Sequence, residues 1–341
     1  MSDFSEYEKI SKNLKSFDKN EKAAHDITKL KWVVTEKVHG ANFSFVYENK
    51  NLSFAKRKEP IKWTDDFFGF QLIVSRIEEN VIRLFEELSH DFKADKYVLY
   101  GELFGGKYPH SNVNLDTNIQ AIQTGIYYSP TIEFYAFDIA LGFHNTQAKS
   151  YLDYQKAISY FEKFNLVHAK ILFSGKLNDA LNFNIRINSQ VPSQLGLPAL
   201  ENNLIEGVVI KPLNHQSVLQ QNPRPILKVK NPEFDEEEKF HEAEKWSYTP
   251  NVSSHLEELS FLLTDLRKHL TQNRLNSAIS KIGAIDLQNE KRMQDIKNEF
   301  LRDVLFDFNE SNNNILNELS EHQNKWLKAR IESDINELLL P

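Results

Sequence analysis

The stretch Trp32-Val33-Val34-Thr35-Glu36-Lys37-Val38-His39-Gly40-Ala41-Asn42-Phe43-Ser44-Phe45-Val46-Tyr47 constrains the chain most. An apolar run leads into a short turn, and alternation of large apolar residues leads out of it. That pattern reads as strand, tight turn, strand. Lys37 stands immediately before the turn, where sheet backbone on both sides can aim its amine. Gly40 allows either a positive φ or a close backbone approach. A polar turn, Glu48-Asn49-Lys50-Asn51, then returns the chain into Leu52–Lys58, which alternates again. The end of that hairpin carries three cations, Lys56, Arg57 and Lys58.

Further strands are expected over 97–102, 132–139, 204–212 and 225–230. An amphipathic helix is expected over roughly 66–89, with Phe70, Ile73, Ile77, Val81, Leu84 and Leu88 on one face. A second helix is expected near 152–164. Residues 1–30 read as a polar helical lead-in with Tyr7, Ile10 and Leu14 on one face. A long aperiodic loop follows Gly105-Gly106 and runs to about Ser129; a loop of that length is functional or mobile. Strand-to-strand runs outnumber strand–helix alternations, so the fold class is α+β, with an antiparallel or mixed sheet.

The pattern changes after Asn231. Residues 233–245 are acidic, a linker or an exposed helix. Helical stripes follow: Leu256 to Leu270 behind a Ser254–Glu257 capping box, then Leu275, Ile279 and Ile282 stopped by Gly283. Met293, Ile296, Phe300, Val304 and Phe308 make a third stripe. Ile315, Leu319, Trp326 and Ile335 are expected in a fourth long helix. The expected organisation is an α+β domain over 1–235, an acidic linker over 236–250 and a small all-α domain over 251–341.

The absence of cysteine excludes disulfides, thiolate metal sites and cysteine nucleophiles. A net charge of -7 does not advertise a nucleic-acid binder, so any such role requires positive charge gathered on one face. No apolar run is long enough to span a bilayer, and the polar N-terminus shows no signal peptide. A cytoplasmic monomer without membrane contact is expected.

Polar residues recur at strand ends in a fixed order: Glu36-Lys37-x-x-Gly40, Lys56-Arg57, Gly101-Glu102, Phe137-Asp138, Glu206-Gly207 and Lys228-x-Lys230. Singly, each has a plainer reading. His39 fits a turn residue, Phe137 a core aromatic, Lys56-Arg57-Lys58 a charged sheet edge, and the two late lysines the outer face of a strand. Those readings do not predict the shared order. The order resembles motifs I, Ia, III, IIIa, IV and V of the covalent nucleotidyltransferases, and most closely the RNA ligase 2 family. The strings E-K-V-H-G-A-N-F-S, A-K-R-K-E-P-I, L-Y-G-E-L-F-G-G-K-Y, F-Y-A-F-D-I, E-G-V-V-I-K-P and L-K-V-K-N-P-E-F carry it. N-R-L-N-S-A-I-S-K-I-G, 273–283, is similar to the start of that family's helical C-terminal domain.

The resemblance implies a nucleotidyltransferase (ATP-grasp-like) sheet domain and an ATP-dependent RNA ligase. Its substrates would be RNA 3'-OH and 5'-phosphate ends, at nicks in duplex RNA, joined through lysyl-AMP and RNA-adenylate. The cofactors would be ATP and Mg2+, with Mn2+ as the alternative ion. Lys37 would be the nucleophile, Glu36 would orient the adenine, Phe137 would stack on it, and Glu102 would bind the ribose. Arg57 would contact the phosphate or ribose and later the RNA 5'-phosphate. Glu206 would hold the metal, and Lys228 and Lys230 the α-phosphate. His39 and Asn42 would serve steps after lysine adenylylation. Lys228 and Lys230 would also disfavour the cationic form of Lys37. The alternatives are a DNA ligase or capping-type enzyme, against which the helical C-terminal pattern argues, and a catalytically silent RNA-binding relative.

Overall fold

The computed structural model describes residues 6–12, 27–114, 119, 121–123, 125–143, 146–214, 224–234, 256–312 and 314–339. The chain divides into two compact units, Met1–Asn231 and Pro232–Pro341. In the first unit two sheets form. One contains β1 (Trp32–Lys37), β8 (Ile171–Gly175), β9 (Gly207–Pro212) and β10 (Leu227–Lys230), in the order β10-β9-β1-β8. The other contains β2 (Ala41–Glu48), β3 (Asn51–Lys56), β4 (Pro60–Ile61), β5 (Lys96–Lys107), β6 (Ser129–Phe143) and β7 (Thr146–Tyr151), in the order β4-β3-β2-β5-β6-β7. Every ladder between these strands is antiparallel. The α+β class expected from the strand pattern is the one observed.

The turn at Val38–Gly40 does not fold β1 back onto β2. It carries the chain from one sheet to the other. Gly40 is required there by proximity: a Cβ would lie 2.0 Å from the Leu103 carbonyl oxygen of β5. The next turn is a true hairpin, with Asn49 and Lys50 both left-handed, at φ 51° and 61°. Two successive positive φ values match the right-handed twist of the flanking strands.

Alternation along β2 separates two faces of the second sheet. Phe43, Phe45 and Tyr47 face the helix α1 (Phe70–Asp91), where the Phe43 and Phe70 rings lie 5.4 Å apart and Tyr47 stacks on Phe85 at 5.3 Å. The helix starts at Phe70 rather than near 66 because Phe68 and Gly69 are left-handed. On the opposite face Val46, Val98, Tyr100, Ala140 and Tyr151 pack with Tyr7 and Ile10. Residues 6–10 are not helical, against the expectation for this segment: Ser11 bridges Leu227 in parallel, so the lead-in runs as an extended cover. Leu14 lies outside the described residues. The helix α2 (Tyr154–Lys163) follows β7. The far face of the first sheet buries Trp32, Val34, Val208 and Ile210 against α3 (Leu177–Leu181), and a single turn, α4 (Val191–Gln194), follows.

The second unit is helical: α5 (Leu256–Arg267), α6 (Gln272–Ile282), α7 (Glu290–Ser311) and α8 (Glu321–Leu339). Leu266, Leu275, Phe300, Val304, Phe308, Ile331 and Ile335 form its core. Gly283 ends α6 at φ 132°, its amide donating to Ile279 at 2.7 Å. The expected fourth helix is broken. Ile315–Asn317 is one 3-10 turn behind a left-handed Asn314, and α8 starts afresh after Ser320. The Ser320 amide donates to Gln323 Oε1 at 2.9 Å and the Gln323 amide to Ser320 Oγ at 3.3 Å, a reciprocal capping box. Ser254 and the acidic run beyond Phe234 lie outside the described residues. No helix among the described residues is long and apolar enough to cross a membrane.

Candidate active site

Register places the lysines. In the first sheet Lys37 pairs with Gly207, which pairs with Lys230; two residues away Thr35, Val209 and Lys228 make the parallel row. Period-two alternation puts Lys37, Lys228 and Lys230 on one face. Glu206, one residue before β9, meets Lys37 and Lys230 there. Lys37 Nζ donates to Glu206 Oε2 at 2.5 Å, and Lys230 Nζ lies 3.1 Å from Oε1. His39 Nδ1 lies 3.5 Å from the same oxygen as Lys37. Gly207 makes this convergence sterically feasible, since a Cβ on it would sit 2.1 Å from the Val229 carbonyl oxygen. The Glu206 side chain is 1% exposed and that of Lys37 23%, so the lysine is the accessible member of the pair. Burial works against the Glu206 anion, yet Lys37, Lys230 and His39 hold its carboxyl well below the usual range.

The second sheet supplies the facing groups. Asn42, Glu102 and Tyr135 form one row across β2, β5 and β6, and Phe137 follows on the same face of β6. Burial pushes the Glu102 carboxyl up to about 7. Lys37 and Arg57 pull it down, Glu206 pushes it up, and the Asn42 side chain pulls it down. The Glu102 side chain reaches the turn after Lys37, its Cγ lying 2.9 Å from where a Cβ on Gly40 would stand, and Lys37, Glu206 and Arg57, just past β3, are the charges that act on it. Lys56 turns instead to Glu59, at 2.9 Å.

The structure does not bring Glu36 or Phe137 into hydrogen-bond or ion-pair contact with Lys37 or Glu206. Glu36 alternates to the other side of β1, where its Oε2 accepts the Gln190 amide at 3.0 Å and its buried Oε1 has no hydrogen-bond partner. Burial pushes its carboxyl up to about 7 despite Ser189 and Gln190. The half-buried Phe137 ring packs edge-on to Tyr7 at 5.1 Å.

Behind Phe137 lies a charged network that sequence reasoning missed. Tyr7 donates to Asp138 Oδ2 at 2.7 Å, and Arg224 Nη2 lies 3.0 Å from that oxygen and stacks over the Tyr151 ring. In the sequence Tyr7 fits a helical face and Arg224 belongs to no motif, so the sole cue is Asp138 beside Phe137. Burial opposes the Asp138 anion, but Arg224 and Lys211 hold its carboxyl below the ordinary value. Lys211 sits inside this network, 2.8 Å from the Phe137 carbonyl oxygen and over the Tyr154 ring. Burial pushes its amine down to about 8. It is buried and takes no part in an exposed surface.

The crevice thus holds an accessible lysine, two carboxylates, and additional cations on facing sheets. Fixed positive groups around a nucleophile suit a reaction at a phosphorus carrying negative charge. Among the described residues no group of three metal-ligating side chains occurs. A hard divalent ion such as Mg2+ uses one or two carboxylates with water and substrate phosphates. Glu206 and Glu102 fit that donor set.

Comparison with known proteins places the chain. Residues 30–230, more than half of it, match the family model described as RNA ligase. The chain belongs to the RNA ligase family. Residues 252–337 match the model of the T4 RNA ligase 2 C-terminal region, which sets it in the RNA ligase 2 branch. It is 28% identical over 323 residues to the mitochondrial RNA-editing ligase 2 of Trypanosoma brucei brucei, covering 81% of this chain and 76% of the relative. It is 28% identical over 360 residues to the mitochondrial RNA-editing ligase 1 of the same organism, covering 90% and 76%. A Naegleria gruberi RNA ligase solved without ligand is similar at 19% identity and a TM-score of 0.42, over 66% of this chain and 55% of that one. A form of that ligase with ATP and Mn has 17% identity, a TM-score of 0.41 and coverages of 67% and 57%. The chain therefore spans a little over half the length of those solved structures.

Proposed function

We propose that this protein is an ATP-dependent RNA ligase that joins 3'-OH and 5'-phosphate RNA ends, at nicks in duplex RNA. The observation that carries the reading is the convergence of Lys37, His39 and Lys230 on the buried Glu206, with Glu102 facing them. Lys37 Nζ attacks the α-phosphorus of ATP; an N–P bond forms, the bond to pyrophosphate breaks, and the amine gives up a proton. An RNA 5'-phosphate oxygen then takes the adenylyl group, breaking the N–P bond. Finally the 3'-OH attacks the activated 5'-phosphorus and AMP leaves.

An ion-paired ammonium is not a nucleophile, so Glu206 must release Lys37 before the first step. Neighbouring cations would disfavour the Lys37 ammonium, whereas the Glu206 ion pair stabilises it as a resting lock. Lys230 and Lys228 are suited to hold the α-phosphate, and Arg57 the incoming 5'-phosphate. Glu102 binds the ribose hydroxyls and Phe137 stacks on the adenine, both from one face of the second sheet. The unpartnered Glu36 Oε1 is an acceptor available for the adenine amine. Glu206, with Glu102, would hold Mg2+ or Mn2+, which when bound neutralises phosphate charge.

Incubation with α-labelled ATP and Mg2+ tests the reading. Wild type becomes labelled on Lys37 and Lys37→Ala does not, while Lys37→Ala still seals pre-adenylylated nicked RNA. An unlabelled wild type overturns the proposal. Sealing of nicked DNA in preference to RNA selects the DNA-ligase alternative.

A further inference from the structure

The residues that end the long β5–β6 connection touch both halves of the crevice. Asn203 holds both backbone groups of Tyr127: the Tyr127 amide donates to Asn203 Oδ1 at 2.9 Å, and Asn203 Nδ2 donates to the Tyr127 carbonyl at 2.7 Å. Asn203 is buried, and its own carbonyl accepts the Ser189 amide at 2.9 Å. It stands three residues before Glu206. The next residue, Tyr128, is buried, with its ring edge-on to Phe104 at 5.5 Å. Its hydroxyl accepts the His39 amide at 2.9 Å. That amide lies in the turn where the chain leaves one sheet for the other, so no ladder supplies its acceptor. The contacts close a ring: Glu206 to the His39 imidazole, the His39 amide to Tyr128, Tyr127 to Asn203, and Asn203 along three residues back to Glu206.

We propose that Tyr128 and Asn203 are positioning residues, a strap that holds the Val38–Gly40 turn against Glu206 and so sets how Lys37 and His39 meet that carboxylate. Neither touches the reacting atoms. The inference rests on the ligase reading for its kinetic consequence, and on geometry alone for its structural one. It assigns the end of the long loop to the catalytic turn. At the end of β5 Lys107 lies over the Tyr127 ring, and within the connection His110 accepts the Asn112 amide.

Two substitutions separate this role from general stability. Tyr128→Phe keeps the ring and its burial and deletes the acceptor. Asn203→Asp keeps the acceptor for the Tyr127 amide and puts a second oxygen against the Tyr127 carbonyl. One hydrogen bond of ordinary strength corresponds to about a tenfold effect. Hydrogen exchange of the His39 amide is therefore expected to speed up about tenfold in Tyr128→Phe. Single-turnover adenylylation of Lys37 is expected to slow about tenfold in each variant at an unchanged half-saturating ATP concentration. Because the two residues act as one strap, the double variant is no slower than the slower single variant. Unchanged exchange at His39, or two effects that multiply, overturns the strap. A wild type that never adenylylates overturns the ligase reading instead, and the exchange measurement on the intact chain still decides the strap.

Discussion

Lys37, His39 and Lys230 converge on one carboxylate, and among the described residues no cation pairs with Glu36 nearby. Glu36 is 3% exposed and its carboxyl is raised from 4.5 to about 7, first by burial. A carboxyl raised on folding favours the folded state most when protonated in both states. Stability is then full below pH 4.5, declines as pH rises toward about 7, and stays reduced above it. The shift corresponds to about 3 kcal/mol at most. Glu36→Gln is therefore expected to be more stable than wild type at pH 8 and to lose that advantage near pH 4.5, read from chemical denaturation at the two pH values. Equal differences at both would show that the carboxyl titrates normally. The sequence named Glu36 as part of a motif; its face, its lone unpartnered oxygen and its neighbours Ser189 and Gln190 come from a loop more than 150 residues away, which no local pattern encodes.

At the scale of elements, the row Lys37–Gly207–Lys230 is the unit that matters. Gly207→Ala is expected to force β10 away from β9, because the new methyl meets the Val229 carbonyl oxygen of that strand. Overpacking of this kind costs about 1–3 kcal/mol, and displacement of Lys230 from Glu206 is expected to slow adenylylation by at least about tenfold. A variant with wild-type rate and melting temperature would mean that β10 moves freely. A second buried pairing joins α6 and α7. Arg274 is fully buried, donating from Nη1 to Asp307 at 2.7 Å and to the Asp303 carbonyl at 3.0 Å, while Lys281 meets Glu299 at 3.0 Å. Arg274→Ala leaves Asp307 without that partner and is expected to destabilise the helical unit by about 3–5 kcal/mol, measured by denaturant unfolding. Strands and helices were legible because alternation and helical stripes are local. The break before α8 was written in Ser320 and Gln323 but lay under a continuous apolar stripe, and the extended course of Tyr7 and Ile10 is set by Asp138 and Leu227, far along the chain.

For the whole molecule, all the candidate site residues lie in the first compact unit. A chain ending at Asn231 is therefore expected to keep Lys37 adenylylation within about tenfold of the full protein, with sealing of nicked RNA reduced much further. Equal loss of both activities would mean that the helical unit is needed to fold or complete the nucleotide site. Net charge offers no long-range attraction to RNA, so binding depends on cations gathered locally, and affinity should fall steeply with added salt.

Residue order alone determined most of the strands (not β4, β7 or β8), the helical C-terminal pattern and the identity of the polar residues at strand ends, because each is carried by periodicity or by a short motif. Only the tertiary structure decided that β1 and β2 part into different sheets, that Glu206 pairs with Lys37, and that Tyr128 and Asn203 hydrogen-bond to His39 and Tyr127. Those facts depend on strand register and on contacts between distant segments. A one-residue shift in register would send Lys37, Lys228 and Lys230 to the opposite face.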